Sequence, residues 1–173
     1  KVLTSLTDAK ANSGSTSATI PTGTGTTADL FVFTTTTATG SVTVTANNVT
    51  TTYFVKGTAG PAYNLSVSAP ATVNIGGTGL LTATVTDAFG NELTSATISA
   101  TVIRGTVTAF SYDSTDKRFE STLTVPATAG TTVLSHTISA SAVTGFAAPV
   151  TEVISTIAVA DLAGQVAALN AKV

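Results

Sequence analysis

Apolar and polar residues alternate in short runs along most of this chain. Clear runs are "SVTVTA" (Ser41–Ala46), "NLSVSA" (Asn64–Ala69), "LLTATVTD" (Leu80–Asp87) and "ATISATVI" (Ala96–Ile103). Further along come "RFESTLTV" (Arg118–Val125), "HTISASAV" (His136–Val143) and "TEVISTIAVA" (Thr151–Ala160). A period of two sends successive side chains to opposite faces, so each run predicts a strand with one face in a core and the other toward water. Gly, Asn, Asp and Pro fall between the runs, where turns need them. The class is all-β. Only the last stretch changes period: in "DLAGQVAALNAKV", Leu162, Val166, Leu169 and Val173 are spaced 4, 3 and 4, a heptad seam with Asp161 placed as its N-cap. A helix this short is marginal alone, which makes these four residues the expected assembly positions.

The strand count gives an architecture. About seven strands fit between Tyr63 and Ala160, the number and length of an immunoglobulin-like sandwich. An internal repeat adds a second unit. "STSATIPTGTGTT" (Ser15–Thr27) registers without a gap on "ESTLTVPATAGTT" (Glu120–Thr132), Pro21 on Pro126 and Gly25 on Gly130, an offset of 105 residues. At that offset Lys1 falls on Thr106, so the first unit holds only the later strands of a sandwich. The expected organisation is tandem immunoglobulin-like sandwiches with the first incomplete at its N-terminus. Residues 1–57 are the C-terminal part of one domain, 58–160 a complete one, and 161–173 the start of a helical or coiled-coil segment. "LFVFTTTTATG" (Leu30–Gly40) has no counterpart in the second unit, and "GTAGPAY" (Gly57–Tyr63) reads as the linker, stiffened by Pro61. Half a sandwich leaves an apolar face and strand edges open, which implies a longer parent chain or strands lent by a neighbouring copy.

Composition narrows the function classes. Charged residues are 9% of the chain, far below the roughly 25% of ordinary soluble domains, and 39 of the 173 residues are threonine. Seven Lys and Arg are scattered and the net charge is −2, so the clustered basic footprint of a nucleic-acid surface is absent from the sequence. Mean hydropathy is +0.42, yet no apolar run approaches the roughly 18 residues of a membrane span. There is no Cys, which excludes disulfides and thiolate metal sites, and no Met, the expected mark of a processed or truncated product. A chain so rich in Thr, mildly acidic and free of Cys fits an extracellular setting.

The run "LTATVTDAFGNELTSATISATVIRGTVTAF" (Leu81–Phe110) resembles bacterial immunoglobulin-like domains of the invasin and intimin type. Asp87, Gly90 and Asn91 match the acidic residue and Gly-Asn turn between two alternating strands, although Glu92 and Leu93 follow the turn where members often have Pro. The resemblance covers about Tyr63 to Ala160, and by the internal repeat it extends to Lys1–Lys56. It implies a stalk, spacer or lattice module of a cell-surface protein, and the composition is also similar to that of bacterial surface-layer proteins.

Candidate chemistry is sparse. Asp87 and Asn91, with Glu92 beside them, offer oxygen ligands for Ca²⁺. Calcium takes six to eight oxygens, and an Asx-type turn needs only these side chains and backbone N–H groups, so the turn is the favoured reading. Asp113 and Asp116 make a second acidic loop, balanced by Lys117 and Arg118. His136 is the only histidine; it sits in an alternating run without a strained G-x-S-x-G elbow nearby and without enough partners for zinc. The Gly-rich "IGGTG" (Ile75–Gly79) lacks the Lys-Ser/Thr and helix of a phosphate loop and reads as a turn. Phe110, Tyr112 and Phe119 alternate across a hairpin, as core residues do. No nucleophile, base and orienting group come together in sequence, so no enzyme and no cofactor are expected. The expected function is a structural module in a surface lattice, stalk or filament, with neighbouring copies of itself as partners. The rival is an adhesin that binds a host or carbohydrate partner through its loops.

Overall fold

The structure is a computed structural model that describes residues 2–3, 17, 19, 27, 29–143 and 145–172. Residues 64–160 fold as two facing sheets. The strands are β5 (Asn64–Ser68), β6 (Thr72–Asn74), β7 (Thr78–Thr86), β8 (Ser99–Ile103), β9 (Thr106–Val107), β10 (Ser111–Asp113), β11 (Arg118–Thr124), β12 (Gly130–Thr137) and β13 (Glu152–Ala160). One sheet runs β10-β11-β7-β5 with β9 beside β11; the other runs β6-β13-β12-β8. All pairings are antiparallel except β6 with β13. In the lettering of immunoglobulin domains this is D-E-B-A facing C-F-G, with a short strand added outside G. It is the strand order that makes these residues an immunoglobulin-like sandwich.

The alternation carries the core. On β7, Leu81, Ala83 and Val85 point inward; they meet Phe119 and Leu123 of β11, Leu134 of β12, and Ile157 and Val159 of β13. Leu81, Leu123, Leu134 and Ile157 are 0% exposed, and burying each such side chain stabilises the fold by roughly 1.5–3 kcal/mol. Phe119 belongs to this core, with Tyr112 stacked edge-on against it at 5.2 Å and Phe110 packed on both core clusters.

The strand boundaries depart from the sequence reading in two places. Nine strands stand where about seven were expected, because β6 and β9 have three and two residues, too few to show a period. The run at 136–143 is strand only to Thr137: β12 begins earlier, at Gly130, and pairs with β13 up to Thr137↔Glu152. Ile138 N still donates to Thr151 O, but the ladder stops there.

Upstream of the sandwich, β1 (Val2–Leu3) pairs with β2 (Phe31–Val32), and β3 (Thr39–Ala46) with β4 (Val49–Lys56). Asn47 and Asn48 join β3 to β4 with φ of 49° and 62°, the left-handed pair that a two-residue hairpin demands and that Asn tolerates. The hairpin has two unlike faces. One carries Val42, Val44, Val49, Tyr53 and Val55; the other carries a threonine ladder with Thr43–Thr52 and Thr45–Thr50 hydroxyl bonds of 3.2 and 3.0 Å, and an exposed Phe54 beyond it. Most of the repeat copy at 15–27 lies outside the described residues. The chain closes with α1 (Leu162–Asn170), capped by Asp161.

Candidate functional site

Gly57 to Tyr63 leave β4 and enter β5 as coil with a bend at Pro61. Gly57 passes so close to the Thr36 carbonyl that any Cβ there would land inside the oxygen's van der Waals radius, which fixes glycine at the start of the linker. Three residues on, the linker meets the turn that follows β7.

That turn is built around Asp87. The chain reverses at Ala88-Phe89-Gly90, with Gly90 at φ 83°. Asp87 Oδ1 accepts hydrogen bonds from Phe89 N and Asn91 N, both 2.9 Å. Its Oδ2 accepts from Gly60 N on the linker and from Asn91 Nδ2, again 2.9 Å each. The Asn91 amide also donates to Thr35 O, 3.0 Å away on the segment between β2 and β3. A carboxylate and an amide thus tie the turn, the linker and the upstream segment together. Asp87 is only 2% exposed. Burial alone would raise its pKa, but the bonds from Gly60, the Asn91 side chain, and the Asn91 and Phe89 backbones outweigh it and hold the carboxyl below its usual value of 3.8. Both oxygens face N–H donors, the geometry of the Asx turn weighed against Ca²⁺ in the sequence. Glu92, the third oxygen donor considered there, is exposed and sits in a bridge to Thr86.

Aromatic rings pack beside this clasp. Phe33 lies edge-on to Phe89 at 5.4 Å, Phe89 to Phe146 at 5.0 Å, and Phe146 to Tyr63 at 6.3 Å. The Tyr63 hydroxyl donates to the Ala147 carbonyl. These four residues come from four separate segments, and no local pattern links them, so the sequence reading missed them. A cavity of about 380 Å³ opens between Phe33, Pro61, Tyr63, Phe89 and Val143. A second, of about 430 Å³, is lined by Asp87 and Asn91 together with Val55 and Lys56.

The remaining candidates disperse. His136 is 0% exposed inside the sandwich, and among the described residues neither ring nitrogen has a hydrogen-bond partner. Among the described residues the Phe110 ring lies edge-on to it at 5.8 Å. Asp113, Asp116 and Glu120 bring carboxylate oxygens within 4.8 Å of one another, but the Arg118 guanidinium bonds Asp116 at 2.7 Å and Glu120 at 2.8 Å. The Asp113 carboxyl is held below its usual value by the backbone N–H groups of Thr115 and Asp116, the pattern of a hairpin turn. Gly76, at φ 65°, makes a tight turn of residues 75–77 between β6 and β7, and Thr78 and Gly79 of the Gly-rich stretch already belong to β7. Leu162, Val166 and Leu169 lie on α1 with 49%, 58% and 65% of their surface exposed, while Val173 lies outside the described residues. Among the described residues no helix is long and apolar enough to cross a membrane.

No family model and no curated protein matches this chain. Solved structures do. The Escherichia coli adhesin FdeC aligns over 71% of this chain and 41% of its own, at 20% identity and a TM-score of 0.48. The Lin-41 filamin domain aligns over 60% of this chain and 99% of its own, at 17% identity and a TM-score of 0.44. The Yersinia pseudotuberculosis adhesin InvE aligns over 56% of this chain and 27% of its own, at 25% identity and a TM-score of 0.40. The chain therefore spans less than half the length of either adhesin structure.

Proposed function

We propose that this chain is a structural module of an extracellular bacterial surface protein, a stiff spacer within a lattice, stalk or filament. The observation that carries this reading is the Asp87–Asn91 clasp. A flexible tether leaves its linker free in water, whereas here a buried carboxylate holds Gly60 and the half-buried Asn91 amide reaches back to Thr35. Relative motion within one chain is the default unless the interface is large and hydrophobic, and here the packed rings of Phe33, Phe89, Phe146 and Tyr63 lie beside the clasp. Bonding of this kind supports a part that transmits force and holds spacing. The Thr-rich, Cys-free composition supports the extracellular setting.

Stiffness is measurable. The chain has no Cys, so Thr50→Cys and Ser114→Cys accept a pair of spin labels without background. Pulsed dipolar spectroscopy is expected to give one narrow distance distribution. Asn91→Ala, which removes the bond to Thr35, should widen it while leaving the sandwich folded. A wild-type distribution as broad as that of the variant would mean that the clasp does not stiffen the junction, and the spacer reading would fall.

The adhesin alternative has one observation in its favour: three half-buried rings, Phe33, Phe89 and Phe146, beside the cavity of about 380 Å³. An oligosaccharide panel that shifts the Phe89 and Phe146 resonances would establish it.

A further inference from the structure

The geometry points to α1 as one strand of a parallel, two-stranded coiled coil formed with a second copy of this chain. The inference rests on the helix and not on the junction. No residue of Leu162–Asn170 is buried, and the seam residues Leu162, Val166 and Leu169 all face water. Yet the helix is fixed at its root. Asp161 Oδ1 accepts from Gly164 N at 2.7 Å, and Leu162 N donates to Asn74 Oδ1 of β6 at 3.2 Å. The single glycine belongs to the cap, since a Cβ at Gly164 would collide with the Asp161 carboxylate. The sandwich thus launches the helix in a set direction, and among the described residues the seam has nothing to pack on. Nine residues are too few to hold a helix unaided.

The residue types say what the seam fits. Spacing of 4 then 3 puts Leu162 and Leu169 at d positions and Val166 at a. β-branched residues at a with Leu at d favour two parallel strands over higher orders. From Leu162 to Asn170 there is no charged residue, so a second copy meets no like-charge repulsion and a charged partner finds no complement. Gln165 at g and Asn170 at e are five apart, the spacing at which side chains flank a parallel seam from opposite helices. Each amide both donates and accepts, so the pair is self-complementary. A membrane-surface helix carries Lys or Arg along its polar face; this one presents Ala167, Ala168 and Asn170 there. A second copy is the occupant these features select, and parallel pairing sets two sandwiches side by side at one end.

The test uses the whole chain, whose lack of Cys lets one introduced thiol report its own partner. In a parallel, in-register pair, residue 162 faces its own copy and so does residue 169. Under mild oxidation at high protein concentration, Leu162→Cys and Leu169→Cys should each give disulfide dimers at least tenfold faster than the outward Ala168→Cys. Adding Val166→Asp to either should abolish the difference. Dimers that form only when the Leu162→Cys and Leu169→Cys variants are mixed would indicate antiparallel pairing, and equal rates at all three sites would indicate random collision. Sedimentation of the unmodified chain with phosphatidylcholine–phosphatidylglycerol vesicles, without dimers, would assign the helix to a lipid surface. Any of these three results overturns the proposal.

Discussion

Asp87→Ala should cost the sandwich about 3–5 kcal/mol and free the linker in the same step. Two bonds from Asp87 stay within its own turn and one reaches the linker; the fourth holds the amide that reaches Thr35. A hydrogen bond to a charged group is worth roughly 1.5–3 kcal/mol net, and a buried donor left without an acceptor loses its full desolvation cost. The four bonds share one carboxylate, so their energies do not add, which places the total near that of removing one partner from a buried ion pair. Asp87→Asn tests the charge apart from the shape. Its amide oxygen can serve Phe89 N and Asn91 N, but its NH₂ then faces Gly60 N and Asn91 Nδ2, donor against donor. It should recover less than half of the loss. The pH dependence has a definite sign. The folded carboxyl titrates below 3.8, so the unfolded chain binds the proton first. The contribution is complete above the unfolded value and disappears as pH falls below 3.8 through the folded one. Urea unfolding followed by tyrosine fluorescence measures both effects, and a variant within 0.5 kcal/mol of the wild type, a difference typical of ordinary surface changes, would remove Asp87 from the centre of the junction.

The clasp shows how far local pattern reaches. Asp87, Gly90 and Asn91 were legible as a turn because all its ingredients lie within five residues: a side chain that accepts from the backbone ahead of it and a glycine at positive φ. The strands were legible for the same reason, since burial on β7 and β11 follows the written alternation residue by residue. What the turn holds was not legible. Gly60 and Thr35 lie 27 and 56 residues from their partners, and nothing in "GTAGP" or "FTTTTATG" marks a backbone N–H or carbonyl as a ligand. The rings of Phe33, Tyr63, Phe89 and Phe146 were invisible for the same cause, whereas Phe110, Tyr112 and Phe119 drew notice by proximity and are core residues. Alternation also gives only a strand's inward face. It places His136 in the core, but a hydrogen-bond partner for an inward ring depends on the facing sheet.

That ring supplies the second large effect. His136 should make the sandwich acid-sensitive from pH 6.5 downward, well before Asp87 begins to titrate. The ring is fully enclosed by the two sheets, flanked on its strand by Leu134, just past the strand's end by Ile138 and across the ladders by Ala100 and Val153, with Phe110 edge-on at 5.8 Å. None of these neighbours carries a charge. The nearest titratable side chain on β13, Glu152, bonds the Ser135 hydroxyl at 2.6 Å, and Ser135 points to the opposite face of β12. Desolvation therefore acts unopposed and pushes the imidazolium pKa down from 6.5. The unfolded chain takes up a proton as pH drops below 6.5 while the folded one stays neutral, so unfolding gains the proton-binding energy. Stability should fall by about 1.4 kcal/mol per pH unit in that range and level off once the folded ring also protonates. His136→Leu fills nearly the same volume without polar atoms. At pH 7.5 it should match or exceed the wild type, because it removes two buried nitrogens that have no partner among the described residues. At pH 5 the variant should be clearly the more stable, by an amount that grows with each step below 6.5. Paired urea titrations at these two pH values decide it: parallel losses in both proteins would show that the ring is solvated or bonded in solution and that acid acts elsewhere.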